Sequence, residues 1–102
     1  MKKRQYDSAL PTAEMSVLKE LKELHVMNNL LVSLPASIGK LANLKELRLS
    51  NNRLTALPST LGNLRCLTIL DLRNNRLTAL PASLRNLDYL TFLDLLASLI
   101  LS

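Results

Sequence analysis

The feature that most constrains this chain is its period. Leucines that open the same motif fall at Leu21, Leu44, Leu67 and Leu90, each 23 residues from the last, with no insertion between them. The stretches "LKELRLSNNRLTALPSTLGNLRC" (44–66) and "LTILDLRNNRLTALPASLRNLDY" (67–89) match at 14 of 23 positions. A unit this short cannot bury its own apolar side, so self-similarity at a fixed interval predicts stacking of each unit on the next. Composition agrees: leucine is roughly a quarter of the chain, Trp is absent and Phe occurs once. A core of mixed shapes interdigitates in three dimensions, whereas one residue type used so heavily fills one structural position repeatedly.

Within each unit the pattern is L-x-x-L-x-L-x-x-N-x-L-x-x-L-P. Its first part alternates: Leu47 and Leu49, then Leu70 and Leu72. Alternation with period two makes a strand with one face inward and one outward. Strands that arrive in the same direction at the same interval pair as a parallel sheet, with neighbours about 4.8 Å apart. The pair "NN" follows at 28–29, 51–52 and 74–75, where the chain must leave the sheet. A carboxamide both donates and accepts. Asn29, Asn52 and Asn75 are therefore expected to be structural, stacking inside the coil to satisfy backbone groups that the turn leaves unpaired. Asn28, Asn51 and Asn74 read as exposed turn residues. After "LP" the spacing changes to three, at Leu61 and Leu64 and at Leu84 and Leu87, which predicts a helical or 3-10 turn. Pro35, Pro58 and Pro81 suit its start, since proline needs no donor there.

These motifs resemble the leucine-rich repeat family from residue 21 onward, about four-fifths of the chain. "LPASIGKL" (34–41) is similar to the 23-residue subclass common in intracellular repeat proteins. The resemblance implies an α/β solenoid: a right-handed coil with a parallel sheet on the concave face and short helical or 3-10 segments on the convex face. It also implies a protein-binding module. The expected organisation is an N-terminal tail plus degenerate partial repeat (1–20), full repeats at 21–43, 44–66 and 67–89, and an incomplete one at 90–102. In the N-terminal part "LPTAEMSVLKEL" parallels the helical half of a unit, with Pro11, Met15 and Leu18 in the matching places.

Two departures stand out. Gly39 and Gly62 share a position that Arg85 takes in the third unit. The fourth unit opens normally with Leu90, Leu93 and Leu95, then reads "LASLILS", with Ser98 in the asparagine's place. Leu96, Leu99 and Leu101 are apolar where the other units are polar, so an adhesive, uncapped C-terminal end is expected, through self-association, edge-strand pairing or origin in a longer array. The alternative to a binding module is a structural fragment of such an array whose uncapped ends drive self-association.

The side chains between the core leucines are free of the repeat's constraints. They form columns: Glu23, Glu46, Ile69 and Phe92; His25, Arg48, Asp71 and Asp94; Met27, Ser50, Arg73 and Leu96. The expected protein-binding face comprises Glu23, His25, Glu46, Arg48, Ile69, Asp71, Arg73, Phe92 and Asp94. Ile69 and Phe92 serve as the apolar anchor, with Arg48 and Arg73 at its edge. Arg48 beside Asp71 reads as an exposed cross-strand ion pair of little energetic consequence.

Other function classes find little support. The net charge of +5 permits an acidic partner without demanding one. Arg53, Arg76 and the N-terminal Lys2, Lys3 and Arg4 carry much of it, but no stacking aromatics accompany them, so nucleic acid is not an expected partner. His25 and Cys66 are the only residues of their kinds and fall in different parts of different coils, which argues against nucleophilic catalysis. No His/Cys cluster suggests a metal, no glycine-rich loop suggests a phosphate, and no cofactor is expected. A single cysteine allows no intrachain disulfide and fits a reducing, cytoplasmic setting. The basic start lacks an apolar h-region and no stretch reaches the roughly 20 apolar residues of a membrane span, so neither secretion nor a membrane is expected.

Overall fold

The structure is a computed structural model and describes residues 19–99. The expected N-terminal tail, the segment around Pro11, Met15 and Leu18, and Leu101 lie outside the described residues. Each unit contributes one strand. Strands β1 (Glu23–His25), β2 (Glu46–Arg48), β3 (Ile69–Asp71) and β4 (Phe92–Asp94) form one parallel sheet in chain order. The register is that of the repeat: Leu24, Leu47, Leu70 and Leu93 lie in one row, and every neighbour differs by one period. Beyond the strands the ladder continues for a few residues, with Val26, Leu49 and Leu72 amides donating to the Arg48, Asp71 and Asp94 carbonyls at 2.8–2.9 Å.

After the first three strands an asparagine pair turns the chain away from the sheet. Asn28, Asn51 and Asn74 adopt φ of 59°, 59° and 56°, in the left-handed region. Asn enters that region more readily than other side-chain-bearing residues, because its short polar group bonds locally. These asparagines are exposed, as the sequence suggests, but the backbone conformation is what selects them. The second asparagine of each pair turns inward. Asn52 Nδ2 donates to the Val26, Leu49 and Ser50 carbonyls at 2.7, 3.0 and 3.3 Å, and its Oδ1 accepts from the Leu31 amide at 3.2 Å. Asn75 repeats the arrangement one coil on, with the Leu49, Leu72 and Arg73 carbonyls and the Leu54 amide. Asn29 is buried as well and donates to the Met27 carbonyl. In the second and third coils one carboxamide thus joins its own turn to the preceding one.

The return path forms 3-10 turns at Ala36–Lys40, Ser59–Asn63 and Ala82–Asn86. Pro35, Pro58 and Pro81 precede them in extended conformation, and their carbonyls accept from Ile38, Leu61 and Leu84 at 3.0–3.1 Å. Gly39 and Gly62 have no positive φ. Their requirement is space: a Cβ would fall 2.6 Å from the Thr60 carbonyl oxygen at Gly39 and 2.5 Å from the Ser83 oxygen at Gly62. Those contacts come from the next coil's 3-10 turn. Arg85 lies in the last such turn among the described residues, where no neighbour of that kind is seen. The difference among the three units is one of stacking rather than of backbone conformation.

Between sheet and 3-10 turns lies a nearly all-leucine core: Leu24, Leu31, Leu41, Leu44, Leu47, Leu49, Leu54, Leu61, Leu64, Leu67, Leu70, Leu72 and Leu77 are fully buried. Each stabilises by about 1.5–3 kcal/mol relative to an exposed position. The row fails at its C-terminal end, where Leu93 is 42% exposed while Leu47 and Leu70 are inaccessible. Leu96 is 70% exposed. The fourth coil starts normally, and Leu99 makes a parallel bridge to Leu77. Yet Ala97 takes the left-handed φ of 54° with no asparagine, and the buried Ser98 hydroxyl has no hydrogen-bond partner. The Leu77 amide turns to the Ser98 carbonyl instead. The carboxamide ladder stops at Asn75.

Candidate functional site: the open face of the sheet

Leucines of the strands point toward the 3-10 turns, so the intervening residues cover the opposite face. The expected columns are observed: Glu23, Glu46, Ile69 and Phe92 are successive partners, as are His25, Arg48, Asp71 and Asp94. All nine residues expected on this face lie on it together.

The charges on the face are connected. His25 Nε2–H donates to Glu46 Oε2 at 3.1 Å and lies 3.6 Å from Glu23 Oε1. Glu46 Oε2 also faces Arg48 Nε at 3.6 Å, and Arg48 Nη1 is 3.8 Å from Asp71 Oδ2. Arg73 then grips Asp71 in a fork, Nε to Oδ1 at 2.9 Å and Nη2 to Oδ2 at 2.8 Å. Its Nε also lies 3.7 Å from Asp94 Oδ2. Acidic and basic groups alternate across all four strands.

One expectation needs correcting here. Asp71 was to be half of an exposed pair with Arg48, but its side chain is inaccessible to solvent and its principal partner is Arg73. The arginine two residues on folds back over it, and Arg48 shields it from the other side. Side-chain hydrogen bonds from Arg73 hold the Asp71 carboxyl below the ordinary carboxylate value, against burial, with help from the Arg73 amide and from the charges of Arg73 and Arg48. The same bond raises the Arg73 guanidinium above its usual value. A bidentate, charge-assisted contact is stronger and more directional than an ordinary surface pair. Asp71 is therefore a positioning residue that fixes Arg73, while Arg73, Arg48, Ile69 and Phe92 remain accessible to solvent.

The apolar pair is present as expected. Ile69 and Phe92 are adjacent in register, and Phe92 is 43% exposed. Exposed Tyr89, Leu93 and Leu96 enlarge the apolar area around the sheet edge. His25 lies on β1, while Cys66, half-buried, lies in the turn before β3. They share no strand and no neighbouring position. The convex side carries a shallow groove lined by Lys19, Lys40, Arg65 and Asp88, with Gly39 and Gly62 in its wall. Among the described residues no helix is long and apolar enough to cross a membrane.

Sequence reasoning missed the meeting of Glu23, His25 and Glu46, whose ligand atoms lie within 4.8 Å of one another. The signal was available. Positions two apart on a strand share a face, and a residue 23 further on is the cross-strand neighbour.

A search of the curated proteins gives no match. Among solved structures, the chain is similar to a leucine-rich repeat protein of Leptospira interrogans, with a TM-score of 0.86 and 42% identity. The match covers 89% of this chain and 23% of that one, so the chain spans about a quarter of its structural relative. The model for a leucine-rich repeat region matches residues 36–101. With repeat period, parallel sheet, carboxamide ladder and family model in agreement, the chain belongs to the leucine-rich repeat family.

Proposed function

We propose that the chain is a non-enzymatic protein-interaction module that takes a partner protein on the open face of its sheet. Leucine-rich repeat folds suggest interaction modules in general, and the finer reading rests on one observation. The repeat is nearly invariant at core positions, but the open face carries a non-repeating set of side chains, with accessible Ile69 and Phe92 flanked by Arg48 and Arg73. An apolar centre edged by arginines is the composition of an interaction hot spot. The free thiol of Cys66 supports a reducing, cytoplasmic setting. No nucleic acid, membrane or cofactor enters this reading.

The test is affinity capture with the intact protein and with paired surface variants. Arg48→Glu and Phe92→Ser should lose the retained partner with circular dichroism unchanged. Lys40→Glu and Arg85→Glu on the other side should keep it. Capture that survives the first pair and fails with the second overturns the assignment of the face.

The exposed end favours a second reading, self-association of two copies through β4. Among the described residues β4 is the last strand of the sheet, and Leu93 and Leu96 leave apolar surface beside it, a combination that templates pairing. Light scattering over a concentration series should show a dimer that Leu96→Asp disperses; a strict monomer at high concentration removes this reading.

A further inference from the structure

The first two strands bring three potential ligands to one point. Glu23 and His25 are two apart on β1 and share its open face, and Glu46 on β2 is the register partner of Glu23. His25 Nε2 lies 3.1 Å from Glu46 Oε2 and 3.6 Å from Glu23 Oε1, and all three ligand atoms fall within 4.8 Å of one another. Zinc–nitrogen and zinc–oxygen bonds are about 2.0–2.2 Å, so two ligands at tetrahedral corners sit about 3.3–3.5 Å apart. Both distances from His25 straddle that spacing. The remaining adjustment falls on the two glutamates, whose side chains are flexible and accessible from solvent.

We propose that Glu23, His25 and Glu46 form a binding site for a zinc-class transition-metal dication. One imidazole and two carboxylates suit zinc, cobalt or nickel rather than calcium or magnesium, which favour oxygen alone, or copper(I), which favours sulfur. The neutral ring presents the Nε2 lone pair once its proton resides on Nδ1, and the metal then replaces the hydrogen bond to Glu46. Three protein ligands leave a fourth position open to water or to a ligand from outside. Arg48 opposes binding, because its Nε lies 3.6 Å from Glu46 Oε2 and competes for the same oxygen. The site occupies the β1–β2 half of the face, where Glu46 is the register neighbour of Ile69, and it rests on its own interatomic distances rather than on the partner-binding reading.

The experiment is calorimetric titration of zinc chloride into the untagged full chain carrying Cys66→Ser, which removes the one competing thiol. Cobalt absorption reports the geometry. The expected result is one equivalent bound, a tetrahedral cobalt spectrum and a zinc-dependent rise in the unfolding midpoint. Loss of an outer-sphere partner typically weakens metal affinity about 10–100-fold, so loss of a direct ligand in His25→Gln or Glu46→Gln should cost at least about tenfold. Arg48→Gln should bind tighter than the parent. Circular dichroism distinguishes a misfolded variant from a ligand-deficient one, and Glu23→Gln, on β1, provides a third independent deletion. Absence of binding at millimolar zinc, or unchanged affinity and stoichiometry in the folded His25→Gln protein, overturns the proposal.

Discussion

Replacing Asn52 with alanine tests the physical claim on which the stack depends. Asn52 supplies the donor for the Val26 carbonyl and the acceptor for the Leu31 amide, and no other backbone partner is seen for either group. The Leu49 and Ser50 carbonyls are less dependent on it, since Asn75 Nδ2 also reaches Leu49 and the Asn28 amide reaches Ser50. The substitution therefore orphans two buried groups. Each orphan costs about 1–3 kcal/mol, which gives about 2–6 kcal/mol in total. Whole-domain stabilities are only about 5–15 kcal/mol, so the loss is a large share of the total. Urea unfolding with linear extrapolation measures it. Hydrogen exchange adds a local readout: the Leu31 amide should lose protection, while the Leu54 amide, held by Asn75 at 3.0 Å, should lose less. Asn52→Ser serves if the alanine variant does not fold, since serine occupies the matching position at Ser98. A cost below about 1 kcal/mol, with Leu31 and Leu54 protected equally, refutes the argument that the carboxamide holds the coils together.

Three further outcomes follow from the same geometry. Gly62→Ala should destabilise by about 1–3 kcal/mol through overpacking against Ser83, while Arg85→Ala should stay within about 0.5 kcal/mol, as thermal unfolding of both would show. Ala97→Gly should stabilise by about 0.5–1 kcal/mol, because alanine at φ 54° bears the steric cost of the left-handed region; an unchanged midpoint would contradict this. Asp71 contributes a pH dependence. Its carboxyl is lowered in the folded state, so its contribution is complete above the unfolded value of about 3.9 and is lost as pH falls through the lowered folded value. Asp71→Asn should therefore flatten the acid limb of the stability profile below about pH 4, and an unchanged limb would show that the Arg73 fork adds nothing.

Much of the architecture was legible before any coordinate. Register and core identity follow from the spacing alone, because a side chain's fate on a strand depends on parity and its neighbour on the next coil depends on the period. Leu47 with Leu70 and Asn52 with Asn75 could be placed in rows by counting 23. The columns from Glu23 to Phe92 and from His25 to Asp94 followed from the same arithmetic, and their members are register partners as counting put them. Solvent exposure did not follow. Asp71 and Arg48 occupy equivalent places in the repeat, yet one is sealed and the other accessible, because Arg73 is long enough to fold back and cover its neighbour.

What the linear chain determined, then, is everything periodic: strand direction, pairing order, the leucine interior and the inward asparagines. Those depend on local backbone preference and apolar spacing, which are properties of consecutive residues. Tertiary structure alone decided three other matters. It made Gly39 and Gly62 necessary by bringing Thr60 and Ser83 against them, it buried Asp71 beneath two arginines, and it set the side-chain conformations that bring His25 to 3.1 and 3.6 Å from glutamates that counting already places beside it. Each is a contact between atoms on different coils or between long flexible side chains, where distance depends on how the coils stack and which rotamer wins.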